Sequence, residues 1–206
     1  MKKMKIFGRL LCFIIAAMLL AEPIAIYAEE NTDTSVINGC NTLDGSTPIS
    51  NTESAILYES NSDTLLYALN PEQRMSPSSF AKLVTAMVAI EQADLTETVV
   101  ADQQTLDAIQ WDAVSVGLQP GEEMQLLDLL YCMLVGSGND AAAVIAVHMD
   151  GSVEKFAERM NQFMASIGCT SSNFTNPHGL HDDEQYTTAR DTAKLLAYAT
   201  KNEIFT

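Results

Sequence analysis

Positive charge is scarce in this 206-residue chain: 11 lysines and arginines stand against 27 aspartates and glutamates, for a net charge of −16. That balance argues against capture of nucleic acid and against electrostatic binding to an anionic membrane. Cysteine is also scarce, with four in the whole chain, and the spacing does not suit a metal site. The apolar run Leu10–Leu20 has 11 residues, too short for a permanent bilayer-spanning helix. No internal repeat is visible. What the chain does have is 47% hydrophobic residues, which excludes a disordered polypeptide. Its length suits one domain with a sizeable core, or a domain plus a tail.

The N-terminus reads as a secretory signal peptide over residues 1–28. Lys2, Lys3, Lys5 and Arg9 form a basic stretch, Leu10–Leu20 an apolar one, and Ala28 a small residue at a cleavage position. An uncleaved anchor is the alternative. Cys12 sits inside the apolar stretch rather than at its end, so no lipoprotein site is read. Removing these residues takes away four positive charges and one negative charge, leaving a mature net charge of −19. Three cysteines remain, Cys40, Cys132 and Cys169. The odd number leaves at least one thiol free; a Cys40–Cys169 bridge is open but has no positive support, and Cys132 reads as a core filler. Residues 29–52 have the composition of a flexible linker. Ala55–Tyr58 and Thr64–Tyr67 read as a β-hairpin around a polar turn. Helices are expected at Phe80–Gln92, Asp102–Ile109, Leu126–Val135, Asp140–Met149, Ser152–Ile167 and Thr188–Thr200. Gly117–Glu122 reads as a turn and 170–186 as a polar loop.

Two short motifs carry chemistry. Ser79-Phe80-Ala81-Lys82 places a hydroxyl and an amine three residues apart at the start of a helix, hence on one face. A serine hydroxyl needs a base at hydrogen-bond distance, and a lysine whose pKa is lowered by burial can be that base. The bland reading is a helix N-terminus with a solvated lysine. Ser137-Gly138-Asn139, closing the Leu126–Val135 run, shifts the balance. Ser-x-x-Lys followed by Ser-x-Asn makes two of the three elements that mark penicillin-binding proteins and serine β-lactamases. Taken alone, Ser137 and Asn139 could simply be an interhelical turn.

With these residues on the page, the chain resembles the D-alanyl-D-alanine carboxypeptidases, the low-molecular-mass penicillin-binding proteins of peptidase family S11. Arg74 to Lys82 resembles the first family motif, and Asp128-Leu129-Leu130 with Gly136 to Ala142 the second. Phe156, Met160-Asn161, Phe174 to Leu180 and Thr187 to Asp191 are further markers. The resemblance runs over roughly residues 53–204. It implies an α/β (α+β) DD-peptidase fold, a helical subdomain plus an antiparallel sheet. It also implies an exported protein acting at the outer face of the cell envelope. Ser79 would be the nucleophile, Lys82 its base, Ser137 a proton relay and Asn139 a ligand of lysine and substrate. The expected partners are peptidoglycan stem peptides and, as covalent inhibitors, β-lactams. No cofactor or metal is expected, no membrane anchor is read in this chain, and a monomer is expected.

Two departures matter. Ser78 and Ala81 replace the usual alanine and small polar residue. More seriously, no Lys-Thr-Gly occurs in the sequence. In the family it lies on a sheet strand downstream of the Asn-Pro-His-Gly-Leu segment, so residues 53–206 are expected to be the N-terminal part of a transpeptidase-like domain. The sheet's C-terminal strands would be missing, and the chain alone weakly active or inactive. The alternatives are a class A β-lactamase, for which no glutamate base is clearly placed, and a non-catalytic penicillin- or peptidoglycan-binding protein. His178 is expected to structure its loop, His148 and His181 to lie at the surface, and Asp182-Asp183-Glu184 to be a solvated face. The Asn173-Phe174-Thr175 sequon is read as coincidence.

Overall fold

The computed structural model describes residues 54–62 and 64–206. The signal-peptide and linker readings, and Cys40, lie outside the described residues. The chain opens with the expected hairpin, β1 (Ala55–Glu59) against β2 (Thr64–Leu69), antiparallel, with Ala55 opposite Leu69 and a register shift between Leu57 and Tyr58. A 3-10 turn over Ser78–Phe80 leads into α1 (Ala81–Gln92). Then come β3 (Thr98–Val100), α2 (Gln103–Asp107), β4 (Glu123–Gln125), α3 (Leu126–Val135), α4 (Asn139–Asp150), α5 (Val153–Ser166) and α6 (Ala189–Ala199). β3 and β4 pair antiparallel in a second two-stranded sheet. They were not expected: three residues are too few to show the alternation that marks a strand. The helices fall within one to two residues of expectation, and capping side chains fix the starts of three of them. Asp102, Ser152 and Thr188 each accept the backbone N–H three residues on, at 2.9, 3.2 and 3.1 Å. Gly151, at φ 77°, ends α4 in the left-handed conformation.

α1 is the central element. Its residues Val84 to Ala89 are all buried, which marks a helix enclosed on every side rather than laid on a surface. Ala81, Val84, Met87 and Val88 join Phe156, Met160, Met164 and Leu195 in one apolar cluster. Ala86 and Ala89 join Val99, Leu126, Met133, Ala142 and Ile145 in a second. Cys169 lies in the first cluster as a free thiol, pushed up to about 12 by burial and then by Asp191. Cys132 is half-buried rather than a full core residue, and free.

The 170–186 segment is a polar loop as expected, but it is tightly tied. Asn161 donates to the Phe174 carbonyl and accepts its N–H, both at 2.8 Å. Asp191 accepts Ser171 N–H and the Ser172 hydroxyl at 2.8 Å. Bridges pair Met75 with Thr187 and Asn173 with Tyr186. The Asn173 side-chain amide donates to the Glu184 carbonyl at 2.7 Å, so the sequon asparagine is engaged in the loop. Asp182, Asp183 and Glu184 are exposed.

Phe156, fully buried at the heart of the first cluster, sets a direct test of this packing. Phe156→Ala is expected to lower unfolding free energy by about 3–5 kcal/mol in urea titration. Val135→Ala, at a site 82% exposed, is expected to change it by less than about 0.5 kcal/mol.

Candidate active site

The 3-10 turn places Ser79 at the mouth of α1, and Lys82 follows one turn later on the buried part of the helix. Ser79 is exposed, whereas Lys82 is only 4% exposed. Burial of an ammonium in an apolar shell must be offset by hydrogen bonds. Lys82 Nζ donates to Asn139 Oδ1 at 2.8 Å and to the His178 carbonyl at 2.9 Å. Burial holds its pKa below the usual lysine value of 10.5.

Ser79, Lys82 and Ser137 line one cavity of about 210 Å³, walled by Phe80, Leu83, Met133 and Leu134. Thus the structure brings three of the sequence-predicted residues to one opening, and the fourth, Asn139, touches Lys82 directly. No hydrogen bond joins Ser79 to Lys82 among the described residues. Ser78 and Ser137 both adopt left-handed backbone, at φ 47° and 55°, conformations that a non-glycine residue keeps only when its surroundings impose them. One precedes Ser79 and the other opens the Ser-Gly-Asn turn.

Asn139 starts α4 and is 4% exposed. Its backbone N–H and its side-chain Nδ2 both donate to the Val114 carbonyl, at 2.9 and 2.8 Å. With the amide nitrogen spent there, Oδ1 is left facing the lysine, and this network fixes which way the amide points.

The His178 carbonyl reaches Lys82 because the Asn176–Leu180 loop lies directly on the start of α1. Thr85 donates to the Pro177 carbonyl at 2.7 Å, and Asn176 Oδ1 accepts Gly179 N–H at 2.7 Å. Gly179 has φ 85°, and a Cβ there would sit 1.7 Å from the Ser78 carbonyl oxygen. The contact requires glycine twice over, by conformation and by space. The His178 ring itself accepts Leu180 N–H at Nδ1, 3.2 Å away, so the neutral ring carries its proton on Nε2. Burial, then the Lys82 charge, pull its pKa down to about 4.

Sequence reasoning assigned His178 to loop structure, and its ring does that, but its carbonyl holds the lysine. The Val114 carbonyl, Thr85 and Asp140 were missed. A main-chain acceptor leaves no signal in residue type. His148 pairs with Glu97 at 2.9 Å and His181 with Asp183 at 3.3 Å, both away from this cluster.

Two tests follow from the loop. Gly179→Ala is expected to lose at least about 2 kcal/mol of stability in thermal or urea unfolding, since both strain and a clash with backbone oppose it. His178 resists protonation only when folded, its pKa falling from 6.5 to about 4. Its contribution is therefore intact above pH 6.5 and is lost as pH falls from 6.5 towards 4, by at most about 3 kcal/mol. Urea midpoints measured across that window should fall more steeply in the wild type than in His178→Gln.

The chain is similar to known proteins in sequence and in fold. The family model described as D-alanyl-D-alanine carboxypeptidase, peptidase S11, matches residues 42–206. The D-alanyl-D-alanine carboxypeptidase DacA of Haemophilus influenzae is 36% identical over 151 residues, 69% of this chain and 38% of that protein. DacF of Bacillus subtilis is 31% identical over 156 residues, 75% of this chain and 40% of that protein. The chain thus spans about two fifths of the length of these curated relatives. A crystal structure of a D-alanyl-D-alanine carboxypeptidase from Mycobacterium tuberculosis superposes with a TM-score of 0.72 at 32% identity, covering 80% of this chain and 62% of that one. Penicillin binding protein 5 from Haemophilus influenzae gives 0.68 at 34% identity, covering 72% and 45%. On the family match and the shared fold together, this chain belongs to the D-alanyl-D-alanine carboxypeptidase family, peptidase S11.

Proposed function

We propose that this protein is a serine-type D-Ala-D-Ala carboxypeptidase that trims the terminal D-alanine from peptidoglycan stem peptides. The observation that carries the reading is the pair of acceptors around Lys82. A neutral amine has two N–H donors and one lone pair. Asn139 Oδ1 and the His178 carbonyl take both donors, which leaves the lone pair for a third direction. Ser79 and Ser137 share a cavity with that amine.

In this mechanism Ser79 Oγ attacks the carbonyl between the two D-alanines, and Lys82 accepts its proton as the C–O bond forms. The tetrahedral oxyanion is met by the Ser79 N–H at the start of α1, where the helix dipole favours negative charge. Collapse expels D-alanine, whose amine takes its proton from Lys82 through the Ser137 hydroxyl. Water then attacks the acyl-enzyme and releases the shortened peptide. Asn139 keeps Lys82 in place, and the second N–H of its Nδ2 is left to donate to the substrate. β-Lactams, whose strained amide mimics the scissile bond, would acylate the same oxygen. The basic and apolar segments of residues 1–28 support export; action at the outer face of the envelope, by a monomer with residues 29–52 as linker, belongs to the same proposal. Among the described residues no helix is long and apolar enough to cross a membrane.

The sequence contains no Lys-Thr-Gly, the family element that supplies a second oxyanion N–H and a lysine for the substrate carboxylate. Loss of one oxyanion donor typically costs about 10²–10³ in rate, so slow or no turnover is assigned to these residues by themselves. A second reading is a non-catalytic penicillin- or peptidoglycan-binding protein, favoured by the lack of a Ser79–Lys82 hydrogen bond among the described residues, where Lys82 Nζ donates to Asn139 and His178.

Fluorescent penicillin separates the readings. It is applied to the folded chain, alone and with the third-motif segment of a relative added. Durable label at Ser79, located by mass spectrometry, is expected, with Ser79→Ala blank and Lys82→Ala slowed by about 10²-fold or more. Rapid release of label would indicate a β-lactamase. No label under either condition would indicate the binding protein.

A further inference from the structure

Asp140 is a buried carboxylate beside the site, 3% exposed, and no step above uses it. Its Oδ2 accepts the Ser115 hydroxyl at 2.6 Å, Gly117 N–H at 3.0 Å and Leu118 N–H at 3.1 Å. Its Oδ1 accepts Val116 N–H at 3.1 Å and Ala141 N–H at 2.9 Å. Four of the five donors come from consecutive residues of the connection that follows Val114. That connection also packs on the Ser-Gly-Asn turn: a Cβ at Gly136 would lie 2.6 Å from Val116 Cγ1, and one at Gly138 3.1 Å from the same methyl. We propose that Asp140 is a positioning residue for Lys82: its carboxylate clamps Ser115–Leu118 so that the Val114 carbonyl holds Asn139 with Oδ1 turned to the lysine.

The chain of contacts is continuous. Asp140 fixes the connection, the connection fixes the Val114 carbonyl, that carbonyl takes the backbone N–H and a side-chain N–H of Asn139, and Asn139 accepts from Lys82. Only a carboxylate can serve, because five donors converge on two oxygens and each must be an acceptor. Burial alone would raise the Asp140 pKa. The Ser115 hydroxyl and the N–H groups of Val116, Leu118 and Ala141 outweigh it and hold the group below the usual aspartate value. The titratable neighbours are Cys132, whose thiol is raised by burial and then by the Asp140 charge, and His178 beside Lys82.

This role rests on the proposed use of Lys82 as base, but its test reads the amine rather than turnover. A chain that fails to acylate Ser79 therefore still gives a decisive result. The Lys82 protonation midpoint is measured by NMR of ¹³C,¹⁵N-labelled lysine in the wild type, Asp140→Asn, Ser115→Ala, Asn139→Ala and the two double variants. A lost hydrogen bond to a buried ammonium disfavours the charged form. Asp140→Asn should therefore lower the midpoint by about one pH unit, and Ser115→Ala, which leaves the charge intact, by a smaller amount in the same direction. Both effects should vanish in the Asn139→Ala background. Should Asp140→Asn fail to fold, Ser115→Ala and its double variant decide alone. An unchanged midpoint in the single variants would overturn the proposal. So would a fall that persists undiminished without Asn139, since that would be the direct loss of a nearby charge.

Discussion

The site depends on one enclosed amine. Lys82 lies on a helix that two apolar clusters share, so neither bulk water nor a carboxylate compensates its burial. Two neutral oxygens do so instead, Asn139 Oδ1 and the His178 carbonyl. Neutral acceptors satisfy the N–H groups and favour the charged form less than a carboxylate partner, which would have held the group permanently charged. The same arrangement joins the first motif to two segments far away in sequence, 57 and 96 residues on.

Each of those segments is held independently of the lysine. The His178 loop rests on α1 through Thr85 and on the preceding turn through the bare backbone of Gly179, and Asn176 braces it from within. Asn139 is held by the Val114 carbonyl and, through the following residues, by Asp140. The acceptors are therefore preorganised, and the lysine meets them without a further ordering cost. Positive φ at Ser78 and Ser137 fits this picture. Left-handed backbone of this kind at and beside a site persists only where the surrounding structure holds it.

Much of this was legible in the sequence. The hairpin, five of the helices and the short helix after Asp102 were readable because apolar period and capping residues agree. That Ser79, Lys82, Ser137 and Asn139 would lie together was readable because their side chains carry the motif. The strands Thr98–Val100 and Glu123–Gln125 were not, being three residues each. Nor were the carbonyls of Val114 and His178, since a backbone oxygen is the same whatever residue bears it. Asp140 stood next to Asn139 in plain view. Its importance comes from four N–H and one O–H donors converging in space, which residue spacing does not encode. Cys132 read as a core filler, and it packs half-buried on α3 against the second apolar cluster.

The most direct test is the protonation midpoint of Lys82 in the unmodified protein, followed by NMR through the alkaline range. A midpoint clearly below 10.5 is predicted, with the amine protected from solvent exchange while the fold persists. A midpoint at or above 10.5, with rapid exchange, would show a solvated ammonium and contradict the account.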